Sequence, residues 1–216
     1  MNSGDSPARV PQEQRRQAMQ ARIIEAAIDS LVELGYAGSS TIAISQRAGV
    51  SQGAIFRHFP TRAALMAVVA DKVGTDLILS FQQRFAQSPS DVDPIRRALS
   101  LLRENCRAPV NQAWFELLHA ARTDPDLRQT LEPIWQRNVQ LTRQLAEAIL
   151  PDLARLSPDF PVVVDLLVTL FHGEAMDDVI RADGMADASR FAMAELICKL
   201  LEQHYRTRVQ PQRVLS

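Results

Sequence analysis

The sequence predicts an all-α fold, and three observations carry that prediction. Apolar residues recur at i, i+3, i+4 and i+7 spacing, glycine and proline punctuate those runs at helix-length intervals, and no segment shows sustained period-two alternation rich in β-branched residues. About nine helices are expected in the 216 residues. With 46% apolar and 23% charged residues, the composition excludes a disordered or collagen-like chain.

Residues 1–13 hold two prolines, two serines and a glycine, and read as a flexible arm. Ile24, Ala27, Ile28 and Leu31 then mark one face of a helix from about Gln14 to Leu34, which Gly35 ends as a left-handed cap. Ser39, Ser40 and Thr41 are all candidate N-caps for a short second helix carrying Ile44 and Ala48 on one face. Gly49 breaks it, and Ser51 offers a second N-cap. A third helix over 53–59 stops at Pro60. Thr61 caps the fourth, in which Leu65, Val69, Val73, Leu77 and Phe81 recur every four residues.

Further breaks fall at 88–94, 107–109, 123–126, 150–161 (a Pro-rich connector) and 182–187. They leave helices over about 94–106, 109–122, 125–150, 161–181 and 187–206, and a frayed tail over 207–216. The expected organisation is an arm at 1–13, a three-helix head at 14–60 and a second helical domain at 61–206.

Two short helices joined at Ala48-Gly49-Val50 form a helix-turn-helix pattern. The turn needs a residue tolerant of positive φ, which Gly49 supplies. Ile44, Ala48, Val50 and Ile55 are placed to bury the contact between the two helices. Ser51, Gln52, Gly53 and Ala54 are small or polar, so the N-terminal end of the second helix can enter a DNA major groove. The amides at that end also favour a nearby phosphate.

The stretch STIAISQRAGVSQGAIFRHFPTRAALMAVV at 40–69, with Gly35-Tyr36 before it, resembles the tetracycline-repressor (TetR) family of bacterial transcriptional regulators. The motif resemblance covers about residues 15–70. The family's roles carry over by position. Ser40 and Thr41 match phosphate contacts; Gln52, Gly53 and Ala54 match the positions facing bases; Phe56 and His58 match an aromatic and a His that touch the DNA backbone, with Arg57 between them as a candidate DNA contact; Arg62 matches a phosphate-holding cation. Gln52 is the best base reader, since its amide pairs bidentately with adenine. Arg57 has a second reading as a solvated surface residue, and His58 as a packing histidine. Phe56 replaces the usual Tyr, Ile42 stands where a polar residue is common, and Thr41 where a small apolar one is. Arg9, Arg15 and Arg16 are placed to follow the DNA backbone or enter the minor groove.

Beyond the head, the resemblance implies a small-molecule effector site and a homodimer. Trp114, Phe115, Leu118, Trp135, Asn138 and Phe171 are the candidate pocket residues, with core packing as the other reading of each. The last two long helices are apolar over more than one face, which points to a partner copy at Leu166, Leu170, Phe191, Leu196 and Cys198. Cys198 is expected to be a buried small hydrophobe, with a redox disulfide as the alternative.

HGEAMDDVIRAD at 172–183 is acidic. Its acids are expected on a solvated outer face rather than around a metal with His172. No metal, cofactor or catalytic residue is expected. There is no G-x-S-x-G, phosphate loop, H-E-x-x-H or C-x-x-C motif. The longest uncharged apolar run, Ala63–Ala70, has 8 residues, short of a membrane span, and the polar first residues lack the h-region of a secretory signal. Two cysteines suit a reduced, cytoplasmic protein.

The expected function is a dimeric repressor that binds double-stranded DNA and is released by an effector. The alternatives are a regulator without a small ligand, controlled by a protein partner, and, outside transcription, an enzyme or a helical protein-binding module.

Overall fold

In a computed structural model of the chain, residues 12–180 and 188–209 are described, with no strand among them. The expected arm up to residue 11, with Arg9, lies outside the described residues, as do the turn at 182–187 and the tail from 210. The described helices are α1 (Gln12–Gly38), α2 (Thr41–Ala48), α3 (Gln52–His58), α4 (Arg62–Gln87), α5 (Pro94–Cys106), α6 (Pro109–Ala121), α7 (Pro125–Ile149), α8 (Pro151–Leu156), α9 (Phe160–Asp178) and α10 (Ala188–Val209).

The starts and stops follow local chemistry. The hydroxyls of Ser40, Ser51 and Thr61 accept from the N–H groups of Ala43, Ala54 and Ala64, capping α2, α3 and α4. Asp93 and Asp124 cap α5 and α7, each followed by a proline in the first turn. Gly49 closes α2 in the left-handed conformation, φ 62° and ψ 40°.

Two local features depart from the sequence reading. Gly35 has the expected positive φ, 67°, but its ψ is 177°, so it kinks the chain instead of capping it, and one more turn runs to Gly38. The Pro-rich connector contains a helix, α8. Pro151 sits in its first turn, where a missing N–H costs nothing, and Leu153 is buried.

Two apolar clusters organise the packing. The first joins the head to the middle of the chain: Ile23, Ala27 and Leu31 of α1, Ile44 of α2, Ile55 of α3, Leu65, Val69 and Val73 of α4, Leu117 of α6 and Leu127 of α7. Each of the Ile, Leu and Val side chains contributes roughly 1.5–3 kcal/mol on full burial. The second joins α5, α8, α9 and α10 through Leu99, Leu153, Phe160, Phe171 and Ala194. The head therefore shares its core with α4, α6 and α7.

Buried ion pairs tie the second cluster together. Glu174, 1% exposed, receives the Nε of Arg103 at 2.9 Å and a second Arg103 nitrogen. Arg107 lies 3.1 Å from the same carboxylate and donates to Asp178 at 2.6 Å. The solvated acidic face expected at 172–183 is thus corrected for Glu174, because Arg103 on α5 and Arg107 at its C-terminal cap compensate its charge inside the protein. Among the described residues, no helix is long and apolar enough to cross a membrane.

A Cβ at Gly49 meets nothing within 4 Å, so replacing that glycine tests backbone conformation alone. Gly49→Ala is expected to cost about 1–2 kcal/mol, and Gly49→Asn less, read from urea unfolding midpoints.

Candidate nucleic-acid interface and internal cavity

The helix-turn-helix buries one side and exposes the other. Ile44, Ala48 and Ile55 are buried between α1, α2 and α3. Ser51, Gln52, Gly53, Phe56 and Arg57 lie on the exposed side of α3, while Ala54 and His58 are half-buried. On α2, Ser40 is exposed and Thr41 half-buried. Two large apolar residues stand open here: Ile42 is 53% and Phe56 45% exposed. Neither contributes to the core, and apolar contact with thymine methyls is the chemistry they offer a major groove. Arg15 and Arg16 are exposed on the first turns of α1. Arg47 is turned away to pair with Glu33 of α1.

Arg62 has more to do than its position in the sequence implies. Its guanidinium lies 3.9 Å from the centre of the Tyr36 ring and donates to the carbonyls of Ser39, at 3.3 Å, and Tyr36. It thereby closes the exposed carbonyls at the end of α1 from the first residue of α4.

Tyr36 itself is anchored from two other helices. Its backbone N–H donates to the Glu116 carboxylate at 2.7 Å, and its hydroxyl donates to Asp124 at 3.1 Å. Burial, the larger influence, pushes the phenol up, so it stays protonated as the donor. The N–H of Leu127 holds Asp124 below the usual carboxylate range. Sequence reasoning found Tyr36 only as part of a motif; partners 80 and 88 residues away leave no local trace.

A cavity of about 370 Å³ lies between the two apolar clusters, at the small end of the range for ligand pockets. Trp114, Leu118, Trp135 and Asn138 all line it. Phe115 and Phe171 do not. Phe115 meets His172 edge-on at 5.0 Å, and it is His172 that reaches the cavity. Phe171 is fully buried in the second cluster beside Phe191.

The cavity carries little charge. Arg143 and Asp165 line it but pair with each other, at 3.0 Å through Nε. Burial pushes the His172 imidazole down, so it is neutral at physiological pH. Asn138 is 8% exposed, yet neither its amide nitrogen nor its oxygen has a hydrogen-bond partner. Leaving such a group unsatisfied costs about 1–3 kcal/mol. The amide lies against α4, where a Cβ on Gly74 would come within 2.1 Å of it. Only glycine allows that approach.

The expected partner-facing residues divide. Leu166, Leu170 and Leu196 are exposed, Leu166 by 64%, alongside Val162, Met193, Ile197 and Leu200. Phe191 and Cys198 turn inward, and Cys198 lines the cavity. Burial pushes the Cys106 thiol up to about 12 and the Cys198 thiol up to about 11. Neither is a thiolate near neutrality, which suits the buried reading and not a redox one. Among the described residues, no group of three or more His, Cys, Asp or Glu is placed to hold a metal ion.

Comparison with known proteins shows the family and the fold. The family profile described as "Bacterial regulatory proteins, tetR family" matches residues 23–69. The chain is 36% identical over 165 residues to an HTH-type transcriptional regulator of Mycobacterium tuberculosis, spanning 76% of this chain and 85% of the relative. A solved transcriptional regulator from Rhodococcus sp. Rha1 superposes with a TM-score of 0.64 at 22% identity, covering 86% of this chain and 96% of that one. The regulator FadR from Bacillus subtilis, solved in complex with stearoyl-CoA, gives 0.59 at 17% identity, covering 84% and 96%. These two structures show the fold alone.

Two outcomes follow from the geometry. Arg62→Ala is expected to lower stability by roughly 1.5–3 kcal/mol, as loss of charge-assisted hydrogen bonds does, with Arg62→Lys intermediate in urea unfolding. His172 has a folded pKa below its ordinary 6.5, so the unfolded chain takes up a proton that the folded one resists. Its burial carries no penalty well above pH 6.5, and stability is lost as pH falls through that value and below. Unfolding midpoints at pH 7.5 and 5.5 should therefore fall less in His172→Gln than in the wild type.

Proposed function

Because the chain belongs to the tetR family of bacterial regulatory proteins and is a DNA-binding transcriptional regulator, not an enzyme, we propose that it is a homodimeric repressor released from its operator by a small molecule. The observation that carries this reading is the shared core. The helices that bear the exposed α3 surface pack in the same apolar cluster as α4, α6 and α7, which also line the cavity.

In this reading Gln52 and Gly53 approach the bases, with Phe56 beside them. Ser40, Thr41, Ser51, Arg57 and His58 contact or approach phosphates, and Ala54 keeps the surface small enough for close approach. Arg62 sets the angle at which α4 meets the head. The chain acts in the cytoplasm. Exposed apolar residues on α9 and α10, Leu166 and Leu196 among them, support a two-fold interface with a second copy. Such a dimer presents two α3 helices to a roughly palindromic site, one or more DNA turns apart. An effector in the cavity releases DNA only if it prefers a head spacing that the operator does not.

The test is titration of the protein against DNA upstream of its own gene at two salt concentrations. Specific binding that weakens with salt is expected. Gln52→Ala should lose about tenfold or more of the preference for operator over random DNA, with its non-specific binding unchanged. Absence of salt-sensitive, sequence-specific binding there and in a random operator library would overturn the proposal.

A further inference from the structure

We propose that the cavity selects an uncharged, mainly hydrophobic ring compound bearing one group that both donates and accepts hydrogen bonds, and that Asn138 is the residue that selects that group. The inference rests on reading the cavity as the effector site, and adds the chemical class of the ligand.

Three features of the cavity converge on that class. Its walls are apolar, with Leu99, Leu118, Phe160 and Val164 among them, and two indoles, Trp114 and Trp135, offer flat surfaces to a ring. It holds no unpaired charge: Arg143 and Asp165 neutralise each other, and burial keeps His172 uncharged. A carboxylate or ammonium carried inside would meet no opposite charge to offset its lost hydration.

The polar lining then narrows the choice. Asn105 donates to the Leu77 carbonyl at 3.2 Å, and Asn111 to that of Cys106 at 2.9 Å, so each of these amides is already held by the backbone through one of its N–H groups. Asn138 has a free donor and a free acceptor together on one side chain. Its amide rests against Gly74 with nothing to bond to. Turning that side chain toward the cavity supplies both partners at once if the ligand has a donor next to an acceptor, as an amide does. A purely apolar ligand leaves the amide unsatisfied. The same rotation withdraws Asn138 from α4, the helix that leads from the cavity to the head.

The test uses one ring skeleton with four substituents: 2-naphthamide, naphthalene, 2-naphthoate and 2-(aminomethyl)naphthalene, titrated calorimetrically into the full-length protein at pH 7.5. The amide is expected to bind at least tenfold more tightly than any of the other three. In Asn138→Leu, close in shape and apolar, amide and naphthalene should bind equally, with naphthalene no weaker than in the wild type. Asn138→Ala is the second variant, should the leucine not fit against Gly74, and is expected to lose the same preference. Tightest binding of either ion, binding by none of the four, or an amide preference that survives both substitutions would overturn the proposal. Adding each compound to the protein–operator complex separates the two readings. Amide preference without operator release would sink the effector reading and leave the ligand class standing. Release by one of the ions would do the reverse.

Discussion

The backbone turn at Gly35 brings three other helices, α4, α6 and α7, within reach of one residue, Tyr36. With φ at 67° and ψ at 177°, the turn aims the Tyr36 N–H at Glu116 of α6. A Cβ at position 35 would lie 2.9 Å from the same carboxylate, so both the conformation and the space call for glycine. The Tyr36 carbonyl and ring take the Arg62 guanidinium at the start of α4, and its hydroxyl takes Asp124, the N-cap of α7. The end of α1 thus fixes where the head sits on α4, α6 and α7. The exposed surface of α3 is positioned through α1 and α2, and inherits that geometry.

The α4–α7 contact is the second constraint. Asn138 lies on Gly74, and one turn earlier on α4 Asp71 pairs with Arg137. Close approach and charge pairing hold the helices together where the cavity meets them. An unsatisfied amide at such a contact is a poised element: it is stable only while packing holds it, and a ligand offering hydrogen bonds competes for it. Coupling between cavity and head then needs no long chain of contacts, because α4 carries both Gly74 and Arg62.

Much of the head was legible in the sequence because its determinants are local. Ser40, Gly49, Ser51 and Thr61 each act within four residues of their position, through a cap or a positive φ. Trp114, Leu118, Trp135 and Asn138 line one cavity because helical spacing brings them to a common seam. Phe115 and Phe171 lie off that cavity, and an aromatic on a helix apolar on several sides carries no mark of the direction it faces. The arginine partners of Glu174 lie on α5 and at its C-terminal cap, some 70 residues earlier in the chain, and no spacing rule finds them. Within the acidic run at 172–183, nothing in the spacing marks Glu174 as the carboxylate that turns inward. The α8 helix was hidden by its prolines, one of which starts it.

The central claim is that filling the cavity is felt at the recognition helices through the shared core. Ala98 lines the cavity from α5, away from the head, and Ala98→Trp fills part of it without any ligand. The direct measurement is the operator affinity of this variant beside the wild type. The account predicts a loss of about tenfold or more, roughly 1.4 kcal/mol, with the head still folded by circular dichroism. Operator affinity equal to that of the wild type in a folded Ala98→Trp protein would contradict it.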